Sequence, residues 1–128
     1  MKTLLYLGII LMLCSCGSNE SESAISTVKI GNLEVMTKDL GEMTWDDAMK
    51  ACADLGDGWR LPTKDELNLL YENKEKIGGF VIDNYWSSTK HPHERQPRAW
   101  MMSFMDTRGY QYGRSKASTY YVRAVRDF

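Results

Sequence analysis

An uninterrupted apolar run from Leu4 to Cys14, eleven residues long, follows the single positive charge of Lys2. A helix that spans a bilayer needs about 17–25 such residues, so this run is too short for a stable transmembrane anchor. A short apolar segment behind a positive residue is the pattern of a cleaved export signal, and it takes no part in the mature fold. The next stretch, Gly17 to Ser23, is Gly-Ser-Asn-Glu-Ser-Glu-Ser, and Ala24 is its first apolar neighbour. Such a composition cannot bury enough surface to fold. Residues 17–27 therefore read as a flexible tether, reaching about 15–20 Å by the square-root rule for flexible chains. What remains for folding is residues 28–128, enough for one small domain.

The apolar run closes on Leu13-Cys14-Ser15-Cys16-Gly17. This segment resembles the lipobox of bacterial lipoproteins, in which an invariant cysteine becomes the lipidated first residue. The resemblance implies cleavage after Ser15, a signal peptide over 1–15, and a lipidated Cys16 opening the tether 16–27. Anchoring by several acyl chains is stable where a single chain is marginal. Gly17 stands where many Gram-negative bacteria use aspartate to retain lipoproteins in the inner membrane. The expected address is thus the outer membrane, on its periplasmic or surface face, with the membrane engaged through the N-terminal lipid.

Composition narrows the rest. The chain has 128 residues, a pI near 6.1, a net charge of −1 and 43% apolar residues. A multidomain enzyme, a multi-pass membrane protein and a strongly basic nucleic-acid binder are excluded. Of three cysteines only Cys52 lies in the folding region, so no disulfide framework is available.

Local patterns then give the elements. Val28 to Ile30 and Leu33 to Val35 alternate around Gly31-Asn32, a hairpin signature. Thr44 is placed as a helix N-cap, with Trp45, Ala48, Met49 and Cys52 on one apolar face. A second helix begins after Pro62 with a Thr63/Glu66 capping box, runs through Leu67, Leu70, Tyr71 and Lys74, and stops at Gly78-Gly79. Strand patterns follow at Tyr85 to Thr89, Arg98 to Phe104, Tyr110 to Tyr112 and Tyr120 to Arg126. The order, strands then two helices then a meander, is that of an α+β domain.

The segments MTWDDAMKACADLGDGWRLPTKDEL, YWSST, AWMMSF and YVRAVR resemble the bacterial Lcl C-terminal domain family. That family belongs to the formylglycine-generating-enzyme and C-type-lectin-like superfamily. The similarity runs from about Leu33 to Arg126 and is most specific in Gly58 to Thr63 and Tyr85 to Thr89. It implies a C-type-lectin-like fold, two helices packed on a twisted antiparallel sheet, and an adhesion or ligand-binding module rather than an enzyme. Trp86 and Trp100 read as core aromatics. At least one of Arg60, Arg123 and Arg126 is expected in a semi-buried ion pair tying the helices to the last strand.

Specific chemistries find little support. Formylglycine-generating enzymes use a pair of cysteines to hold copper, whereas Cys52 stands alone on an apolar helix face. Sugar-binding C-type lectins build a calcium cage from a Glu-Pro-Asn or Gln-Pro-Asp loop. Gln96-Pro97-Arg98 places a cation where that cage needs an oxygen. His91-Pro92-His93-Glu94 carries two imidazoles, but no further histidine or cysteine completes a zinc site, and a solvated loop is the simpler reading. No metal or cofactor is therefore expected.

The remaining signal is asymmetry of charge. Residues 20–83 hold fourteen acidic and seven basic side chains; residues 84–128 hold three and eight, with nine of the fourteen aromatics. Such a division marks either a partner surface or a domain that pairs its own halves. The expected ligand contacts are Arg95, Arg98, Arg108, Tyr110, Tyr112 and Arg114, with an anionic glycan or an acidic protein outside the cell as ligand. An assembly subunit of an envelope complex is the alternative, and an oxidase ranks below both. Nothing in the chain is a nucleic-acid-binding motif.

Overall fold

The computed structural model describes residues 25–92, 95–105 and 107–128. The expected signal peptide, Cys16 and residues 17–24 of the tether lie outside these residues, as do His93, Glu94 and Asp106. Strand β1 (Thr27–Ile30) takes in the last tether residue. It turns through Gly31-Asn32 into β2 (Leu33–Met36), with Ile30 opposite Leu33 as the hairpin signature requires.

The segment expected to form one final strand forms two. Tyr120–Tyr121 is β7 and Val125–Asp127 is β8. Strand β8 pairs with β2, giving a three-stranded sheet in the order β1-β2-β8. Strand β7 joins β3 (Glu42–Met43), β4 (Asn84–His91), β5 (Arg98–Ser103) and β6 (Gln111–Ser115) in a second sheet, ordered β3-β7-β4-β5-β6. The single antiparallel sheet expected from sequence is thus replaced by two sheets, and β4 and β7 run parallel, with Tyr85 opposite Tyr121. The physical reason lies at Val122 to Ala124, which is buried throughout and carries the chain from one sheet to the other.

Helix α1 (Trp45–Asp54) buries Trp45, Ala48 and Cys52 but leaves Met49 exposed, so the apolar stripe is narrower than its spacing suggested. The second predicted helix is interrupted. It forms α2 (Lys64–Glu72), then a short α3 (Lys74–Ile77). Asn73 sits between them at φ −111° and ψ 20°, and its side-chain amide donates to the Leu69 carbonyl at 2.9 Å. An asparagine bonded to its own backbone in this way competes with the helical ladder. At the other end of α2 the capping box forms in full: Glu66 N donates to Thr63 Oγ1 at 3.2 Å, and Thr63 N donates to Glu66 Oε1 at 2.9 Å.

The five-stranded sheet is covered on both faces. Tyr85 and Met102 face Leu67, Leu70 and Tyr71 of α2, while Trp86, Ala99 and Met101 face Trp45, Ala48 and Cys52 of α1. Strand β5 therefore buries residues on both of its faces, Ala99 and Met101 on one and Met102 on the other. Cys52 is fully buried, and desolvation pushes its thiol up to about 12. It is a core side chain with no thiolate at neutral pH.

All three framework arginines are ion-paired. Arg60 reaches Glu66 at 2.7 Å and Asp127 at 2.9 Å, and its backbone bridges Val125. Arg126 binds Glu34 at 2.8 Å, and Arg123, with no exposed surface, binds Asp39 at 2.8 Å. The Gly58 to Thr63 block is thereby explained as structure: Trp59, Leu61 and Pro62 are buried, Arg60 ties α2 to β8, and Thr63 caps α2.

One pH prediction follows. The Arg60 guanidinium, ahead of opposing desolvation, holds the Glu66 carboxyl below its ordinary value of 4.5. A folded value below the unfolded one means that the stabilisation is fully present above the ordinary value and is lost as pH falls below it through the lower folded value. Glu66→Gln is expected to flatten the acid-side loss of stability. Urea midpoints of both proteins between about pH 3 and pH 7 test this, and parallel curves would remove Glu66 as a source.

Candidate functional site

The exposed charge and aromatic character of the C-terminal half converges on β6, an edge strand of the larger sheet. Its antiparallel register with β5 places Tyr112 opposite Met101 and Arg114 opposite Ala99. Alternation then puts Tyr112 and Arg114 on the α1 side of the sheet, beyond the rim of what α1 covers. Here they stand in the open: Tyr110 and Tyr112 are each 39% exposed, and their rings lie 6.2 Å apart.

Each ring carries a guanidinium. Arg108 lies over Tyr110 at 4.9 Å and Arg114 lies over Tyr112 at 4.8 Å. Arg114 also donates from Nη1 to the Gly113 carbonyl at 3.1 Å. The result is a four-rung ladder, Arg108–Tyr110–Tyr112–Arg114, in which each guanidinium lies over a tyrosine ring. Contacts of this type contribute about 0.5–1 kcal/mol each at an exposed site, enough to orient the guanidinium.

Gly109 is what lets the ladder begin where it does. Its φ is +66°, and a Cβ there would lie 2.6 Å from Tyr71 Cε2 and 2.7 Å from Met102 Cε. Only glycine allows the turn to press onto Tyr71 and send Arg108 and Tyr110 outward.

The other two expected contacts do not join the ladder. Arg98 is opposite Ser115, so its side chain leaves the other face of the sheet, and it is half-buried. Arg95 is exposed ahead of β5, and no contact links it to the ladder among the described residues. The six candidates thus separate into four, one and one.

The sequence matches the Lcl C-terminal domain over residues 18–126, most of its length. The chain belongs to the Lcl C-terminal domain family. No curated protein matches it. Among solved structures it is similar to EMS16, an antagonist of the collagen receptor integrin α2β1, with a TM-score of 0.64 at 12% identity. The alignment covers 82% of this chain and 99% of that one, and EMS16 has a C-type-lectin-like fold. At this identity the likeness speaks to the fold alone.

In this Lcl C-terminal domain, residues outside the expected set complete the surroundings. Trp100, expected in the core, is half-buried, with Lys64 Nζ 3.9 Å from its ring centroid and the His91 ring at 4.6 Å. On the α1 side, Lys116 Nζ lies 4.2 Å over Trp45. Lys116 lines an open cleft of about 590 Å³ with Thr44, Asp46, Pro97, Ser115 and Ala117. Lys64 gave no sign in the sequence, because its role depends on α2 crossing β5. Among the described residues no group of three or more His, Cys, Asp or Glu side chains is arranged to hold a metal.

A second exposed region is apolar. Ile82 is 78% and Met105 62% exposed, and both line a shallow groove floored by Phe104 and Tyr71. The sequence suggested neither residue, since both lie in loops without periodicity.

Proposed function

We propose that this Lcl C-terminal domain is a non-enzymatic, lipid-anchored cell-envelope module that binds an anionic ligand through the Arg108–Tyr110–Tyr112–Arg114 ladder. The observation that carries the reading is the stacking of both arginines on exposed tyrosines. Guanidiniums held this way meet a sulfate, carboxylate or acidic side chain with little loss of side-chain freedom. Arginine and tyrosine are also among the residues enriched where surfaces bind.

The test is binding of the protein to a panel of acidic glycans and acidic peptides across a salt series. Arg108→Gln with Arg114→Gln is expected to weaken binding about tenfold or more, and wild-type binding is expected to fall as salt rises. Absence of binding at the lowest ionic strength, where charge contacts are strongest, removes the reading. Unchanged affinity in the double variant removes the ladder from it.

Anchoring has a separate test. Lipid attachment at Cys16 and outer-membrane residence follow from the lipobox resemblance, and Cys16→Ala is expected to abolish metabolic labelling with palmitate. Labelling that persists overturns the assignment.

An assembly subunit of an envelope complex is the second reading, favoured by the groove under Ile82 and Met105, since exposed aliphatic side chains at such a density suit a protein partner. Co-purification with one fixed partner, lost in Ile82→Asp, would support it over the ladder reading. Oxidase chemistry ranks last, because among the described residues the buried thiol of Cys52 has no second cysteine with which to hold copper.

A further inference from the structure

On the α2 side of the larger sheet, opposite the ladder, four side chains form a cluster that ion pairing does not explain. His91 and Arg98 face each other across β4 and β5. The His91 ring packs against Trp100, whose indole also carries Lys64. Two nitrogens here are buried without a hydrogen-bond partner: Nδ1 of His91 and Nε of Arg98. Neither Arg98 nor Lys64 makes an ion pair among the described residues, whereas Arg60, Arg123 and Arg126 all do.

The backbone is arranged to keep this cluster in place. Gly113 lies opposite Trp100, and a Cβ on it would run into the His91 ring. Any other residue would displace the imidazole. Gln111 Nε2 donates to the Lys64 carbonyl at 2.8 Å, and Thr89 Oγ1 accepts from Lys64 N at 2.8 Å, so the start of α2 is tied to the same strands. The cations are therefore collected by the fold, yet among the described residues no acid pairs with them.

We propose that the His91–Arg98 pair, with Trp100 and Lys64 beside it, is a receiving site for a carboxylate. Leaving a buried donor without a partner costs about 1–3 kcal/mol, and a charged donor costs more. The Nε edge of a guanidinium offers two parallel N–H groups that match the two oxygens of a carboxylate. His91 adds a third donor from the neighbouring strand, and Lys64 supplies attraction across the indole. Part of the Trp100 ring remains exposed beside these cations, which suits the carboxylate of a sugar acid, whose ring can lie against an indole. The site lies on the other face of the sheet from the ladder, so the failure of either leaves the other standing.

The experiment uses the ¹⁵N-labelled full chain in detergent micelles. It is titrated with sodium acetate, sodium glucuronate and sodium sulfate, each against sodium chloride at matched ionic strength. The Arg98 Nε–H and Trp100 indole N–H signals report on the cluster. The expected result is saturable shifts with acetate and larger affinity for glucuronate. Arg98→Gln should weaken binding about tenfold or more, and Arg108→Gln should leave it unchanged. His91→Phe, which keeps the ring on Trp100 and removes Nδ1, should weaken binding several-fold. If Arg98→Gln disturbs the amide spectrum, Arg98→Lys takes its place, since it keeps the charge and loses the fork. Shifts with both carboxylates no larger than with chloride overturn the proposal. So does sulfate binding as strongly as glucuronate, and so does equal weakening by Arg108→Gln.

Discussion

Replacing Arg123 with methionine is expected to remove about 3–5 kcal/mol of stability, the usual loss when one partner of a buried ion pair is deleted. The side chain has no exposed surface. Its Nε donates to Asp39 Oδ1 at 2.8 Å, and its Nη1 donates to the carbonyls of Met36 at 3.0 Å and Gly78 at 2.9 Å. Its guanidinium also lies 3.9 Å over Phe80. Methionine fills much of the volume but leaves a nearly buried carboxylate without its cation and two carbonyls without this donor. Small domains are stable by about 5–15 kcal/mol in total, so this loss takes a large share. Asp39→Ala should be comparably damaging, because it strands the buried cation and frees the Tyr85 hydroxyl that donates to Asp39 at 2.8 Å. The two replacements together should cost less than their sum, since neither charge is then left alone. Urea unfolding of the three variants reads this directly, and a loss under about 1 kcal/mol in Arg123→Met would mean that the pair does not hold the sheets together.

Trp86→Ala is expected to cost about as much, 3–5 kcal/mol by comparison with other large-to-small changes at buried aromatics. Trp86 is fully buried on β4, between β7 and β5, and packs edge-on against Tyr120 at 4.7 Å. Its indole Nε1 donates to the Met43 carbonyl at 2.9 Å. Alanine opens a cavity and leaves that carbonyl unpaired, whereas Trp86→Phe keeps most of the volume and loses mainly the hydrogen bond. The alanine variant should therefore unfold at clearly lower urea than the phenylalanine variant, with similar slopes. Equal midpoints would assign the cost to the hydrogen bond alone. The same comparison at Trp100, which is half-buried and outside both clusters, should give a smaller loss.

Much of this architecture was legible in the sequence because its determinants are local. The Gly31-Asn32 hairpin, the Thr63/Glu66 capping box and the apolar helix faces are set by neighbours within a few residues. The arginine ion pairs were legible as a group, though not their partners, which lie 67 to 92 residues away for Arg60–Asp127 and Arg126–Glu34. The division of Tyr120 to Arg126 between two sheets was not legible. Its alternation continues through Val122 to Ala124, and only the buried Arg123 marks where the chain changes sheets. The ladder was half legible. Tyr112 and Arg114 alternate on β6, where period two brings them together, whereas Arg108 and Tyr110 precede the strand and join it through the turn at Gly109. Arg98 was grouped with them by charge, but strand register sends it to the other face, where it meets His91 and Lys64. No reading of β5 and β6 alone could supply that contact, because α2 brings Lys64 to it.

The pairing of β2 with β8 has a consequence for how the molecule is made. Glu34 faces Arg126, so β2 waits for a strand 92 residues further along the chain before its second neighbour exists. Until then β2 is bonded on one side only, by β1, and a lone two-stranded hairpin is marginal in water. Closing so long a loop is slow and rewards the chain only at the end. The smaller sheet of a growing chain of this sequence therefore stays a bare hairpin while the strands of the larger sheet emerge, and it is completed only when β8 arrives.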